Sequence, residues 1–215
     1  NVIYDRENSS FSITSGDNYR WDEIFADSQW LHLTGITPGL SELTAATTID
    51  VAEKAKLAGC DVSIDLNFRK KLWKWRENVS SRELAQEIMH KILPFTDVVI
   101  ANEEDCSDVL GISAGHTDVE SASLEVDKYP DVAKEIIKQF PNIKKIAITL
   151  RESYSASHNN WGAMLYDAST KKSYYAPLSG DSIYKPYEIK NIVDRVGGGD
   201  AFAGGLIFAL TTEEL

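Results

Sequence analysis

Short apolar runs and amphipathic segments alternate along the chain from about residue 30, and this alternation constrains the fold more than any other feature. Each apolar run is followed by a loop and then by a segment with helical periodicity. The predicted strands cover residues 30–35, 61–67, 97–102 and 144–150, and the predicted helices cover 41–59, 80–93, 103–111 and 127–140. Strands and helices in this order form βαβ units, which predicts a parallel sheet with helices on both faces.

Two stretches depart from the alternation. Residues 161–178 (WGAMLYDASTKKSYYAPL) have the pattern of a β-hairpin that turns at 167–170, and we expect it at an edge of the sheet. Residues 2–14 (VIYDRENSSFSIT) have the pattern of two short strands outside any βαβ unit. We expect these two strands to form part of a second, smaller sheet.

Composition excludes several classes of function. The net charge of −11 disfavours nucleic acid or an anionic membrane as the main partner. No apolar run reaches the length of a membrane span. The two cysteines, Cys60 and Cys106, fit neither a metal site nor a disulfide framework, so we expect buried, reduced thiols in a cytoplasmic protein.

A run of three glycines near residue 200 predicts an anion site. In DRVGGGDAFAGG (194–205), Gly197, Gly198 and Gly199 lead into a predicted helix, whose N-terminus offers free N–H groups and a positive dipole end. The pattern is not a dinucleotide-binding G-x-G-x-x-G, because Phe202 stands at the third glycine position, and this disfavours a nicotinamide-dependent dehydrogenase. No Gly-Lys pair of a Walker A loop occurs in the chain.

The residue that follows the glycines is Asp200, a carboxylate at a predicted anion site. Phosphoryl transfer explains the pairing: the glycine amides stabilise charge on the moving phosphoryl group, and Asp200 accepts the proton of the attacking hydroxyl. The alternative is a plain glycine loop in which Asp200 only complements the helix dipole.

These residues resemble the ribokinase-like (PfkB) carbohydrate kinases. Residues 194–205 resemble the family's C-terminal signature, and IANEED (100–105) resembles its N-x-x-E region. DLNFRKKLW (65–73) and VIYDRENSS (2–10) resemble segments of its 2-keto-3-deoxygluconate kinases. The resemblance implies a three-layer α/β/α fold with a mostly parallel sheet and a small β lid. Residues 1–20 would be part of the lid and 21–215 the α/β domain, and we expect further family regions before and after this sequence.

The resemblance also implies a role for each candidate residue. Catalysis would fall to Asp200 and the amides of Gly197, Gly198 and Gly199. The sugar site would comprise Tyr4, Arg6, Arg69 and Asp200, and the nucleotide site Asn102, Thr149, Arg151, Gly197 and Gly199. Glu104 would orient Mg²⁺, through water, and Asp194 would help to bind K⁺. The alternatives are that the arginines are surface residues and that Asn102 only caps a helix.

The expected function is therefore transfer of the γ-phosphoryl group of ATP to a primary hydroxyl of 2-keto-3-deoxygluconate. Two arginines suit a sugar that carries a carboxylate. A fructokinase or a ribokinase is the alternative within the family, and a non-catalytic sugar-binding relative, which keeps the fold without turnover, is the alternative of a different functional class. A lid sheet with an open edge also predicts a possible homo-oligomer.

Overall fold

The computed structural model describes residues 6, 8–112, 126–194 and 196–212, and a seven-stranded sheet lies at its centre. The strands are β1 Trp30–Thr34, β2 Asp61–Asp65, β3 Val98–Asn102, β4 Lys145–Ser155, β5 His158–Asp167, β6 Lys172–Ala176 and β7 Tyr187–Ile189. The helices are α1 Ser10–Ile13, α2 Trp21–Phe25, α3 Glu42–Leu57, α4 Ser81–Ile92, α5 Glu103–Leu110, α6 Tyr129–Gln139 and α7 Gly198–Thr211. Short 3-10 turns lie at Gly16–Asn18, Thr37–Gly39, Leu93–Phe95 and Val126–Lys128.

The first four strands form the parallel part of the sheet. They lie in chain order, β1-β2-β3-β4, and each pairs in parallel with the next. This order confirms the predicted βαβ units. β5 continues the sheet antiparallel to β4, and β6 and β7 both pair antiparallel with β5. β5 and β6 are the two strands of the predicted hairpin, and Asp167 closes the turn by accepting backbone hydrogen bonds from Ser169 and Thr170.

Helices cover both faces of the sheet, as the sequence predicts. On one face, Val99 and Ile146 join the main apolar core with residues of α3, α4, α5 and α6. On the other face, Ile100 and Ala147 pack against Ala203 of α7. Because neighbouring residues of a strand point to opposite faces, one apolar strand sequence supplies both cores.

Local sequence fixes the ends of the helices that border the site. Ser41 and Ser80 form capping boxes at the starts of α3 and α4. Asn102 caps α5, which ends at Gly111 with a positive φ of 68°. The helices therefore begin directly after the strand-end loops, so their N-termini lie at the carboxyl edge of the sheet.

The strands expected in residues 2–14 are wrong where the structure describes this stretch. Ser10–Ile13 is a short helix, capped by Ser9, whose side chain accepts a hydrogen bond from the Ser12 backbone. Serine side chains favour such local caps over a strand, and this outweighs the apparent alternation. Residues 2–5 and 7 lie outside the described residues, so the lid at 1–20 stays a prediction.

The described part of the chain buries both cysteines and holds no membrane-length helix. Cys60 and Cys106 are buried free thiols, which confirms their expected burial. Among the residues that the structure describes, no helix has the length and apolar character needed to cross a membrane.

Candidate active site

The glycine turn begins α7 with uncapped backbone. Gly197 is the N-cap, with a positive φ of 79° and no side-chain cap, and its carbonyl accepts the first helical hydrogen bond from the Ala201 N–H at 2.8 Å. Gly198, Gly199 and Asp200 therefore present the first free N–H groups of the helix. This confirms the predicted glycine turn and helix start, and gives the turn the chemistry of an anion site.

The fold itself does not require glycine at two of these three positions. A Cβ on Gly199 would have no described atom within 4 Å, and one on Gly198 would make only an ordinary contact with Trp161 at 3.5 Å. Both residues are inside a regular helix, where glycine is less stable than alanine by about 1 kcal/mol. Close approach of a ligand to the backbone is the property that glycine adds here.

Asp200 is the third residue of α7 and is exposed. Its charge acts on two residues at the carboxyl half of the parallel sheet, His32 of β1 and Asp65 of β2. Desolvation lowers the pKa of His32, while Asp200 partly raises it. Burial, with help from Asp200, raises the pKa of Asp65 to about 6, although the Asn67 N–H and Arg69 lower it in part. Asp200, at the N-terminus of α7, is therefore within electrostatic range of His32 and Asp65.

Arg69 lies on the loop that follows β2, and its side chain is exposed. Its positive charge lowers the pKa of both Asp65 and Asp105 in part, so the guanidinium is within electrostatic range of these carboxylates. The loop is held near the end of β1 by Gly35, whose N–H donates to the Asp65 carbonyl at 2.8 Å. A Cβ at Gly35 would lie 1.9 Å from the Leu66 carbonyl oxygen, so only glycine permits this approach.

Asn102 and Thr149 are neighbours at the ends of β3 and β4, where they form a register pair. The Asn102 side chain accepts a hydrogen bond from the Asp105 N–H at 2.8 Å, which confirms that Asn102 caps α5. The Thr149 hydroxyl donates to the Ala101 carbonyl at 3.4 Å. Arg151 follows on β4 with an exposed side chain. A nucleotide role for these three residues stays a prediction.

The two candidate metal residues are both exposed. Glu104 lies in the first turn of α5, and Asp194 accepts a hydrogen bond from the Val196 N–H at 2.9 Å. Among the described residues, no group of three or more His, Cys, Asp or Glu side chains is arranged to hold a metal ion. Carboxylates are suitable ligands for Mg²⁺, but these residues would reach it singly, together with water and phosphate oxygens.

The other predicted sugar-site residues lie in the N-terminal stretch. Tyr4 is outside the described residues. Arg6 is described and exposed, and its carbonyl accepts hydrogen bonds from the N–H and hydroxyl of Ser9. α1 follows directly, and the Ser41 hydroxyl at the start of α3 donates to the Ser12 carbonyl at 3.1 Å. This stretch is therefore attached at the carboxyl edge of the sheet.

Two residues of the site were not among the sequence predictions. Asp105 is buried beside the Arg69 loop, whereas the sequence prediction selected its exposed neighbour Glu104. The N-x-x-E spacing, counted from Asn102, falls on Asp105 and was the available signal. His32 was overlooked within an apolar strand, where its side chain shares the Ser63 hydroxyl with Trp30.

A curated relative matches this chain along its whole length. No protein-family profile matches. The relative is the 2-dehydro-3-deoxygalactonokinase of Haloferax volcanii, 28% identical over 214 residues, which are 100% of this chain and 54% of the relative. The chain thus spans about half the length of this relative.

Three solved structures share the fold. The 2-dehydro-3-deoxygluconokinase of Thermotoga maritima is 36% identical, with a TM-score of 0.82 over 99% of this chain and 57% of its own. A PfkB family carbohydrate kinase of Listeria grayi is 28% identical, with a TM-score of 0.79 over 99% of this chain and 57% of its own. A putative ribokinase II of E. coli, solved with ATP and Mg²⁺, has a TM-score of 0.66 at 18% identity over 98% of this chain and 54% of its own.

The resemblance noted in the glycine turn and in the DLNFRKKLW segment thus extends to the whole described fold. The homologues and structural neighbours of this chain are carbohydrate kinases of the PfkB family, and the fold that it shares with them is the ribokinase-like α/β fold.

Proposed function

We propose that the protein transfers the γ-phosphoryl group of ATP to a primary hydroxyl of 2-keto-3-deoxygluconate. The observation that carries this proposal is an exposed carboxylate, Asp200, in the first turn of a helix in which the fold does not need Gly198 or Gly199 to be glycine. A proton acceptor and free amides then act at one point, as phosphoryl transfer requires.

In this mechanism Asp200 orients the sugar hydroxyl and accepts its proton as the new P–O bond forms. The N–H groups of Gly198 and Gly199 donate to the equatorial oxygens of the phosphoryl group as charge gathers there. ADP leaves from the opposite side of the phosphorus. Bound Mg²⁺ would neutralise part of the charge on the ATP phosphates.

The sugar is held through its carboxylate. The exposed guanidinium of Arg69 can bind a carboxylate with two parallel hydrogen bonds, and Tyr4 and Arg6 would complete the sugar site from the N-terminal stretch. Asn102, Thr149 and Arg151 are at the edge that would face the nucleotide. Glu104 would act on Mg²⁺ through water, and Asp194 on K⁺.

The acid-sugar substrate is supported by relatives named for two epimeric sugar acids, a 2-dehydro-3-deoxygalactonokinase and a 2-dehydro-3-deoxygluconokinase. The test is ADP release by the natural full-length protein with ATP, Mg²⁺ and each of four sugars: both epimers, fructose and ribose. We expect turnover of a sugar acid and little turnover of fructose or ribose.

The matched variants are Arg69→Ala and, as a control, Lys70→Ala, since Lys70 is the exposed cation beside it. Arg69→Ala should raise the KM for the sugar acid about 30-fold, or about 2 kcal/mol, because a charge-assisted bidentate pair is lost. Lys70→Ala should leave KM unchanged. Preference for a neutral sugar, or equal effects of the two variants, would reject the acid-sugar assignment.

A further inference from the structure

We propose that Trp75 is a positioning residue that holds the loop carrying Arg69 against the turn after β1, and so sets the place of the sugar carboxylate. The proposal rests on the proposed function, because it assigns how Arg69 is aimed. Trp75 does not itself touch the substrate. Its indole acts through the backbone carbonyl of Pro38, in the 3-10 turn Thr37–Gly39 that follows β1.

The contact from Trp75 to this turn is a direct hydrogen bond. The indole N–H of Trp75 donates to the Pro38 carbonyl at 3.1 Å. The guanidinium of Arg76 covers the indole at 5.1 Å from the ring centroid, and it also makes an ion pair with Glu87 of α4. The indole is therefore fixed by α4, through Arg76, as well as by the turn.

A second tryptophan, Trp73, packs against the same turn. Trp73 is 1% exposed and belongs to the main apolar core. A Cβ on Gly39 would lie 3.0 Å from the Trp73 indole nitrogen, which is tighter than an ordinary van der Waals contact, so the glycine backbone lies directly on the indole. That nitrogen is buried without a hydrogen-bond acceptor among the described residues, so packing holds Trp73. Because a hydrogen bond is directional and apolar packing is not, Trp75 adds the orientation that Trp73 does not supply.

Arg69 is joined to these tryptophans by a hydrogen-bonded stretch of backbone. The Leu72 N–H donates to the Arg69 carbonyl at 2.8 Å, and the Lys74 N–H donates to the Leu72 carbonyl at 2.8 Å. These bonds restrict the backbone between Arg69 and Trp75. A displacement of Trp75 therefore moves the Arg69 backbone instead of being absorbed by a slack loop.

Both ends of this loop are attached to the same short segment after β1. At the start of the loop, the Gly35 N–H donates to the Asp65 carbonyl at 2.8 Å. At the end of the loop, the Pro38 carbonyl accepts from Trp75. Arg69 lies between the two attachments and is exposed. A cation that is exposed on a loop fixed at both ends is suited to binding an anion at one defined point.

Precise placement of Arg69 matters because bidentate binding of a carboxylate depends on geometry. A misplacement of about 1 Å can lower the rate of an enzyme about 100-fold. Loss of the Trp75 N–H would let the loop shift while the guanidinium itself stays intact. The expected loss is therefore in binding of the sugar acid and not in binding of ATP.

The test is a double-mutant cycle with Trp75→Phe and Arg69→Ala in the natural full-length protein, assayed by ADP release. Trp75→Phe keeps an aromatic ring and removes the N–H donor. It should raise the KM for the sugar acid at least about fivefold and change the KM for ATP less than about twofold. In the Arg69→Ala background, Trp75→Phe should have almost no further effect on the sugar KM.

Asn142→Ala is the control for a loss of stability alone. The Asn142 side chain donates to the Leu93 and Thr96 carbonyls, both at 2.8 Å, and it precedes the amino end of β4. Asn142→Ala should lower the thermal stability and leave both KM values unchanged. If Trp75→Phe fails to fold in a thermal unfolding scan, Arg76→Ala, which uncovers the indole and leaves it in place, replaces it in the cycle.

Three results would overturn the positioning role: an unchanged sugar KM in Trp75→Phe, an equal loss with and without Arg69, or an equal rise in the two KM values. In each of these cases the wild type still phosphorylates a sugar acid. If the wild type phosphorylates no sugar acid, the proposed function itself fails, so the two failures are distinguishable.

Discussion

At the scale of single residues, the three glycines of the turn differ in whether the backbone conformation requires glycine. Gly197 adopts a positive φ of 79°, so its backbone conformation itself calls for glycine. Gly199 is in a regular helix, and a Cβ added there would have no described atom within 4 Å, so nothing in the fold calls for glycine. A glycine without a structural reason beside a carboxylate is the residue-scale evidence for a site.

Gly197→Ala and Gly199→Ala should therefore have opposite effects on stability. Gly197→Ala should lower the free energy of unfolding by about 1 kcal/mol, because alanine is strained at positive φ. Gly199→Ala should raise it by about 0.5 to 1 kcal/mol, since alanine is the better helix former. Urea unfolding of both variants measures these changes.

Activity should nevertheless fall in Gly199→Ala, because the added methyl group occupies the space where a phosphoryl group approaches the amides. A drop of about tenfold or more in kcat, in a variant more stable than the wild type, is the expected result. Unchanged kcat in Gly199→Ala would show that no ligand approaches this amide closely.

At the scale of elements, the aspartates at the two ends of the parallel strands differ in how their charge is compensated. At the amino ends, Asp97 precedes β3 and is 6% exposed at its side chain. It accepts hydrogen bonds from Lys56 at 2.7 Å and from the Val62 N–H at 2.8 Å, and it pairs with Lys144 at 3.1 Å. Although burial raises the pKa of Asp97, these partners lower it to a net value below its usual range. At the carboxyl ends, Asp65 and Asp105 are compensated only in part, so burial raises the pKa of each to about 6.

Asp97→Ala should lower the free energy of unfolding by about 3 kcal/mol, because it leaves Lys56 and the Val62 N–H without their acceptor. Asp61→Ala, which removes an exposed partner of Lys144, should cost less than about 1 kcal/mol. Urea unfolding at pH 7 compares the two variants, and equal losses would contradict the role of Asp97.

The pH dependence of this effect has a defined sign. Because the folded-state pKa of Asp97 is depressed, its contribution is present above the unfolded pKa of about 4 and is lost as pH falls through the folded value. The difference in stability between wild type and Asp97→Ala should therefore shrink below about pH 4. A difference that stays constant down to about pH 2 would contradict this assignment.

At the scale of the whole molecule, periodicity predicted the βαβ order because the parallel strands are short apolar runs. Alternate residues of such a run pack into the cores on the two faces of the sheet. The turn at Gly197 and the cap at Asn102 were predictable too, since both depend on neighbours in sequence. The helix at Ser10–Ile13 was not, because a serine cap outweighed an apparent alternation. Asp105 was missed although the N-x-x-E spacing falls on it, whereas its contact with Phe68, 37 residues away, could not be predicted because only the folded sheet brings the two together.

The most direct test of phosphoryl transfer at this site is ADP release with 2-keto-3-deoxygluconate by the wild type and by Asp200→Asn, paired with calorimetric binding of the sugar. As the proton acceptor, Asp200 should matter for the chemical step far more than for binding. We expect kcat to fall by about 1,000-fold while the Kd for the sugar changes less than about threefold. A variant with kcat within about tenfold of the wild type would contradict the role of Asp200 as the base.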